Sequence, residues 1–344
     1  MQSCIACSSG MRNRADVASL SGYWYSRNPV ALLLLPISWL FCALVWLRRW
    51  AYGRGWLRVV RMPVPVIVVG NLSVGGTGKT PLVGWIVEYL AGRGLRPGVV
   101  SRGYGGKAPS WPQRVTADSD PDMVGDEPVL LARRTGCPLW VGPDRVAAAR
   151  ALLAEELCDI VVSDDGLQHY ALARDIEIAV IDGSRRQGNG FCLPAGPLRE
   201  PISRLAQVDL LVCNGEDPHE GELAMHLEPQ GLVNLRDPQL RQDLKEWAGR
   251  EVIAVAGIGN PQRFFALLRR CGMQVDGRSF PDHHAFRPAD LPKDETRAVI
   301  MTEKDAVKCR GFARRNDWFI PVRARLNAAF ADRLEQLLRS LPHG

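Results

Sequence analysis

Six residues, Gly75-Gly76-Thr77-Gly78-Lys79-Thr80, constrain this chain more than any others. They follow an apolar run, Val66–Val69, and precede a helical pattern from about Pro81 to Gly92. Glycines in that position let successive backbone N–H groups turn inward around phosphate oxygens. Lys79 then reaches the terminal phosphates, and the Thr80 hydroxyl is placed to ligate Mg²⁺. The stretch Ser73, Val74, Gly75, Gly76, Thr77, Gly78, Lys79, Thr80 is therefore expected to cradle a nucleotide. Two details narrow the reading. The usual first glycine of such a loop, six residues before the lysine, is Ser73 here, and position 74 holds no signature lysine, which disfavours the dimeric assembly ATPases. No Asn-Lys-x-Asp follows, so nothing asks for guanine.

Around the loop the pattern is α/β. Apolar strands at Gly98–Val100, Asp159–Ser163, Ile176–Asp182 and Asp209–Cys213 alternate with helices, including about Asp144–Glu156. Such alternation implies a parallel sheet whose strand ends carry the site. A polar stretch from Asn214 reads as the start of a linker over 214–249, after the nucleotide domain at 63–213. After about Arg250 the alternation resumes with strand Val252–Ala256, helix Gln262–Cys271, strand Ala298–Met301 and helix Ala328–Leu338. The expected fold is thus a P-loop NTPase-type parallel-sheet domain, a smaller α/β lobe over 250–344, and a hydrophobic N-terminal helix. A cleft between lobes is a natural ligand site.

The charge is lopsided. Of a net +6, residues 1–62 carry eight arginines against one acid, and the rest of the chain is close to neutral. That distribution argues against a nucleic-acid partner, whose footprint would spread over the body. In the same segment Val30–Leu47 is an uncharged apolar run followed by Arg48 and Arg49. As one helix it would extend about 27 Å, near the ~30 Å hydrocarbon core of a bilayer. Pro36 is expected to kink it, and Trp39, Trp46, Trp50 and Tyr52 to serve as interfacial anchors. The run starts too late and lacks the cleavage site of a signal peptide. Membrane contact, spanning or interfacial, is expected; a buried core helix is the alternative. Arginines on the C-terminal side would leave the body in the cytoplasm. Nine dispersed cysteines read as reduced thiols, and Cys4-x-x-Cys7 as inert tail.

Other stretches carry chemistry more ambiguously. Asp159-Ile-Val-Val-Ser-Asp164-Asp165-Gly166 is an ordinary turn by itself. Downstream of a phosphate loop it becomes a strand ending in a Mg²⁺-holding carboxylate, with Gln168 and His169 just beyond it. Gly125-Asp126-Glu127-Pro128 reads equally as a helix N-cap. Leu193-Pro-Ala-Gly-Pro-Leu-Arg199-Glu200 is a loop delivering an Arg–Glu pair, and Ser101-Arg102-Gly103-Tyr104-Gly105 a flexible one. Phe280-Pro-Asp282-His283-His284 offers either structural histidines or a base with its orienter. Thr302-Glu-Lys-Asp305 reads mainly as a capping box, and Gly257-Ile-Gly259 is too short to claim a dinucleotide.

In order, S-V-GGTGKTP, SRGYGG, VGDEP, SDDGLQH, LPAGPLREP, FPDHH and TEKDAVK resemble the tetraacyldisaccharide 4'-kinase family of Gram-negative bacteria, from about Pro63 to Lys308. The resemblance implies a lipid kinase that uses ATP and Mg²⁺ at the cytoplasmic face of the inner membrane. Its acceptor would be the 4'-hydroxyl of a lipid disaccharide, tetraacyldisaccharide 1-phosphate. Carried over by motif, Lys79 and Thr80 bind phosphate and Mg²⁺, Asp126 is the base and His283 its partner. Asp164, Asp165 and Glu200 belong to the metal and nucleotide shell, with Gln168, His169, Arg199 and Tyr104 nearby. The competing classes are a membrane-tethered P-loop ATPase or switch without a lipid acceptor, and a soluble P-loop small-molecule kinase.

Overall fold

The computed structural model describes residues 22–215, 217–292, 294 and 296–341. Cys4, Cys7 and the arginines at 12 and 14 lie outside them. The seven described cysteines are all free thiols.

In chain order the strands are β1 (Val66–Gly70), β2 (Pro97–Ser101), β3 (Gln113–Val115), β4 (Leu139–Val141), β5 (Ile160–Asp164), β6 (Ile176–Asp182), β7 (Leu210–Asn214), β8 (Leu223–Pro229), β9 (Leu232–Asn234), β10 (Arg241–Gln242), β11 (Glu251–Ala256), β12 (Gln274–Ser279), β13 (Ala298–Thr302), β14 (Asp317–Ile320) and β15 (Val322–Leu326). The helices are α1 (Pro29–Leu33), α2 (Leu35–Gly53), α3 (Lys79–Gly92), α4 (Pro121–Val124), α5 (Asp126–Thr135), α6 (Arg145–Glu155), α7 (Pro261–Arg270), α8 (Glu303–Cys309) and α9 (Ala328–Arg339). They build two sheets. The larger runs β15-β8-β7-β6-β1-β5-β2-β4-β3, and the smaller β10-β9-β14-β13-β11-β12.

The centre of the larger sheet, β7-β6-β1-β5-β2-β4, is parallel throughout. Its central strands β1, β2 and β5 are buried along their whole length, as their unbroken Val/Ile character requires. One apolar layer joins α3 and α5 to this sheet, and a second lies on its other face with α6. β1 sits mid-sheet with its C-terminal end leading into the glycine loop, the usual place for a ligand in an open α/β sheet.

The partition differs from a nucleotide domain, a linker and a separate C-terminal lobe. Residues 214–249 are not a bare connection: β8 pairs with β7 in the larger sheet, and β9 and β10 join the smaller one. The chain then returns, since β15 pairs antiparallel with β8, and Phe330 and Leu334 of α9 pack in the α3 core. β8 and β15 bury only one residue each, so no strong period-2 pattern marks them.

The apolar run Val30–Leu47 is helical but not as one helix. It breaks at Leu34, just before Pro36, which starts α2 at a position where its missing N–H costs nothing. No helix of the described residues is long and apolar enough to cross a membrane. Neither is the segment a core helix. Leu33 is 80% and Trp39 66% exposed, and Val30, Leu40, Leu44, Trp46 and Leu47 are exposed too. Its inner side docks: the Ser38 hydroxyl donates to the Cys192 carbonyl (2.8 Å), Arg48 to the Gln168 carbonyl (3.2 Å), and Tyr52 packs on Tyr170.

Candidate active site

β1 hands the chain to Asn71, whose buried amide organises the loop. Asn71 Nδ2 donates to the Ser73 carbonyl at 2.7 Å, and Oδ1 accepts from Lys79 Nζ at 3.0 Å. Ser73, standing where a glycine was expected, bridges to Leu198, and Val74 N–H donates to the Pro197 carbonyl at 2.8 Å. Gly75 and Gly78 adopt φ of +106° and +94°, open to glycine at little cost. A Cβ on Gly78 would also stand 2.4 Å from Asn214 Nδ2. That amide donates to the Thr77 carbonyl, and Asn214 Oδ1 accepts from Arg263 of α7, both at 2.9 Å. Through this asparagine at the end of β7, Arg263 of α7 is tied to the loop. Thr80 is buried at the start of α3, and the buried Thr77 hydroxyl has no protein partner.

The end of β5 presents two carboxylates in unlike settings. Asp165, at φ +50°, lies 3.3 Å from Lys79 Nζ and accepts from Arg199 at 3.1 Å on both oxygens. Burial would raise its pKa, but these two cations hold it well below the usual carboxylate range. Asp164 is 1% exposed and accepts only a 3.4 Å bond from the Ser101 hydroxyl, leaving Oδ1 unpartnered. Burial, with Glu127 and Asp165 nearby, pushes its pKa up to about 7. A buried carboxylate with a spare oxygen suits a divalent cation. Among the described residues no three His, Cys, Asp or Glu side chains form a metal cage.

Glu200 accepts from the Tyr170 hydroxyl at 2.6 Å and lies 3.8 Å from Arg204, and its buried Oε1 has no protein partner. Gln168 donates to the Asn71 carbonyl at 3.2 Å and so touches the loop backbone. His169 turns toward Asp144 (3.7 Å) at the start of α6 and makes no contact with the loop. Burial and the Arg145 charge push its pKa down to about 4.

A second constellation stands at the start of α5. Asp126, the first residue of α5, is 6% exposed; its Oδ1 lies 3.3 Å from His283 Nδ1 and accepts the Glu127 N–H at 2.9 Å. Its Oδ2 lies 3.2 Å from Lys308 Nζ. Burial would raise the Asp126 pKa, but the His283 hydrogen bond and the Lys304 and Lys308 charges hold it well below the carboxylate range. His283 sits at φ +58° on the loop after β12, its ring 4.7 Å from that of Tyr104. Lys304 bonds Glu127 (2.9 Å), Asp282 (3.3 Å) and His283 Nε2 (3.2 Å). Of the adjacent histidines, His284 bonds Asp290 at 3.0 Å instead, so His283 is the one at the site.

A cleft of about 260 Å³ is lined by Gly76–Thr80 of the loop, by Glu127 of α5, and by Gly259, Arg263, Asp282 and Lys304. Asn71, Asn214, Arg263, Lys304 and Lys308 were not read from the sequence as site residues. Lys304 falls in the stretch read as a helix cap, which it also is, with Thr302 Oγ1 accepting the Asp305 N–H at 3.2 Å, and Lys308 follows one turn later. Their i, i+4 spacing was the available signal.

A parallel sheet whose central strand leads through a glycine loop into a helix, with an inward lysine and an acid–histidine pair whose chain neighbours line the same cleft, defines a kinase-class α/β protein. Comparisons with known proteins narrow that class. Residues 30–339 match the family described as Tetraacyldisaccharide-1-P 4'-kinase, and the chain belongs to that family. The "Tetraacyldisaccharide 4'-kinase" of Nitrosococcus oceani is 55% identical over 317 residues, covering 92% of this chain and 93% of that one. That of Alkalilimnicola ehrlichii is 54% identical over 327 residues, covering 94% and 98%. The crystal structure of "apo" form LpxK from Aquifex aeolicus in complex with ATP is 29% identical, with a TM-score of 0.75 over 90% of this chain and 98% of that one.

Proposed function

We propose that this chain transfers the γ-phosphate of ATP to the 4'-hydroxyl of tetraacyldisaccharide 1-phosphate, a step of lipid A biosynthesis, at the cytoplasmic face of the inner membrane. The observation that carries the reading is the Asp126–His283 pair, 3.3 Å apart, whose chain neighbours Glu127 and Asp282 line the same cleft as Lys79 and the glycine loop. The loop's N–H groups and Lys79 bind the phosphates, and Thr80 with Asp164 would hold Mg²⁺. The ion neutralises phosphate charge when bound. Asp126 accepts the proton of the sugar hydroxyl, and His283 orients it. Little base strength is needed, because phosphoryl transfer through a loose transition state depends on positioning and charge neutralisation.

Membrane attachment in this reading is interfacial. The exposed apolar side of α1 and α2, followed by Arg48 and Arg49, suits the boundary of an anionic leaflet, each arginine adding about 1 kcal/mol there. Phosphate transfer to a phosphorylated glucosamine disaccharide lipid in mixed micelles tests the function. Activity should require the acceptor and fall at least ~10²-fold in Lys79→Ala. ATP hydrolysis indifferent to the acceptor would instead mark a tethered ATPase.

A further inference from the structure

Lys308 has no role in the mechanism so far, yet it closes the Asp126 site from behind. Lys304 and Lys308 stand one turn apart on α8 and so leave it on one face, toward α5. Lys308 Nζ lies 3.2 Å from Asp126 Oδ2, donates to the His284 carbonyl at 3.1 Å and to Asp305 Oδ1 at 3.4 Å, and lies 5.5 Å from the centre of the Phe286 ring. Asp305 is itself fixed: fully buried, it accepts the Gly257 N–H at 2.9 Å and the Thr302 hydroxyl at 2.6 Å. The ammonium is therefore clamped by elements of the smaller sheet, while the carboxylate it meets starts a helix of the larger one. Both side chains are nearly buried, at 9% and 6% exposure.

We propose that Lys308 is a positioning residue for Asp126, aiming its carboxylate and setting the pH below which it is protonated and unable to take the substrate proton. The inference rests on Asp126 being the base, as proposed above. The physical need is plain. A carboxyl this buried and left alone would be largely protonated at mildly acidic pH, and a protonated carboxyl accepts nothing. His283 satisfies one oxygen, and Lys308 is the charge in contact with the other. The remaining groups facing Asp126 are Lys304 from the same helix, Glu127 beside it on α5, and Asp282 on the His283 loop. Lys304 is shared with Glu127, Asp282 and His283, and Lys308 with the buried Asp305, so both lysines act on Asp126 and Lys308 is the one in ion-pair contact with it.

The test compares full-length wild type with Lys308→Met, Lys308→Gln and Lys308→Arg. The pH profile of kcat/KM is read with ATP and the disaccharide acceptor in mixed micelles. An opposite charge in contact shifts a carboxyl by about 1–3 units. The acid limb should therefore move up by at least about one unit in Lys308→Met and Lys308→Gln, a roughly tenfold greater relative loss at the acid end. Lys308→Arg, which keeps the charge, should leave the limb in place. A uniform loss at every pH with an unmoved limb, or failure of both neutral variants to fold, assigns Lys308 a merely structural role and overturns the proposal. Direct ¹³C titration of the Asp126 carboxyl in the same proteins, assigned with Asp126→Asn, needs no turnover and should show the same upward shift; an unmoved titration overturns it. Wild type inactive toward the disaccharide would refute the proposed function, and the carboxyl titration would still decide on Lys308.

Discussion

If Asp126 and His283 act as one unit, removing both should cost little more than removing the more important one. The structure sets the terms. Asp126 keeps two other contacts when His283 is gone, the Glu127 N–H and Lys308, so it stays ionised and in place. Losing Asp126 removes the proton acceptor itself, typically about 10²–10⁴-fold in rate. His283→Ala should cost less, about 10–10²-fold, because only the aim of the base is lost. Independent roles would give the product of the two losses, and a shared role leaves the double variant within about threefold of Asp126→Ala. The shortfall is a coupling of at least about 0.7 kcal/mol, a factor of about three. One structural complication has a control. His283 sits at φ +58°, where alanine pays about 1–2 kcal/mol, so His283→Gly, free of that strain, should match His283→Ala in kcat. The fold should survive, because Lys304 retains Glu127 and Asp282, and Lys308 retains Asp305. The assay is kcat for labelled phosphate transfer at saturating ATP and acceptor. Strictly multiplicative losses would refute the pairing.

Other outcomes follow from the same geometry. Gly78→Ala should raise the KM for ATP at least about tenfold, because its Cβ strikes Asn214 at a φ of +94°, whereas Gly76→Ala meets nothing within 4 Å and should be far milder; equal KM values would refute the Asn214 link. Leu33→Asp with Leu40→Asp should release the protein from anionic vesicles in a flotation assay while sparing turnover of a short-chain acceptor, since both side chains point outward; continued flotation would exclude this surface. Deleting residues 1–62 should be less benign and lower that turnover too, because α2 braces Gln168 and Cys192. The pKa of His169 is depressed in the folded state to about 4, so its contribution to stability is full above its ordinary value near 6.5 and is lost as pH falls from there to about 4. Melting temperatures of His169→Gln should accordingly fall less than those of wild type over that window, and parallel curves would show that the imidazole is not buried neutral.

The sequence by itself determined the elements whose signals are local. A glycine loop between an apolar strand and a helix needs particular backbone angles and a particular lysine, so Gly75–Thr80 could be read before any coordinates existed. Unbroken Val/Ile runs such as Val66–Val69 could be read as buried parallel strands for the same reason. The motif series around the loop then pointed to the family. Tertiary structure decided what depends on which surfaces meet. Strands β8 and β15 bury too little to mark themselves, and the chain's return to the larger sheet was invisible until their pairing was seen. Glu200 is adjacent in sequence to Arg199, yet the two diverge: Arg199 reaches Asp165, and Glu200 turns to Tyr170. Asp126, ambiguous as a cap, became a buried carboxylate held by His283 and Lys308 only because α5 packs on α8. A carboxyl's proton affinity is set by burial and by charges a few ångströms away, and in this site those charges come from parts of the chain remote in sequence.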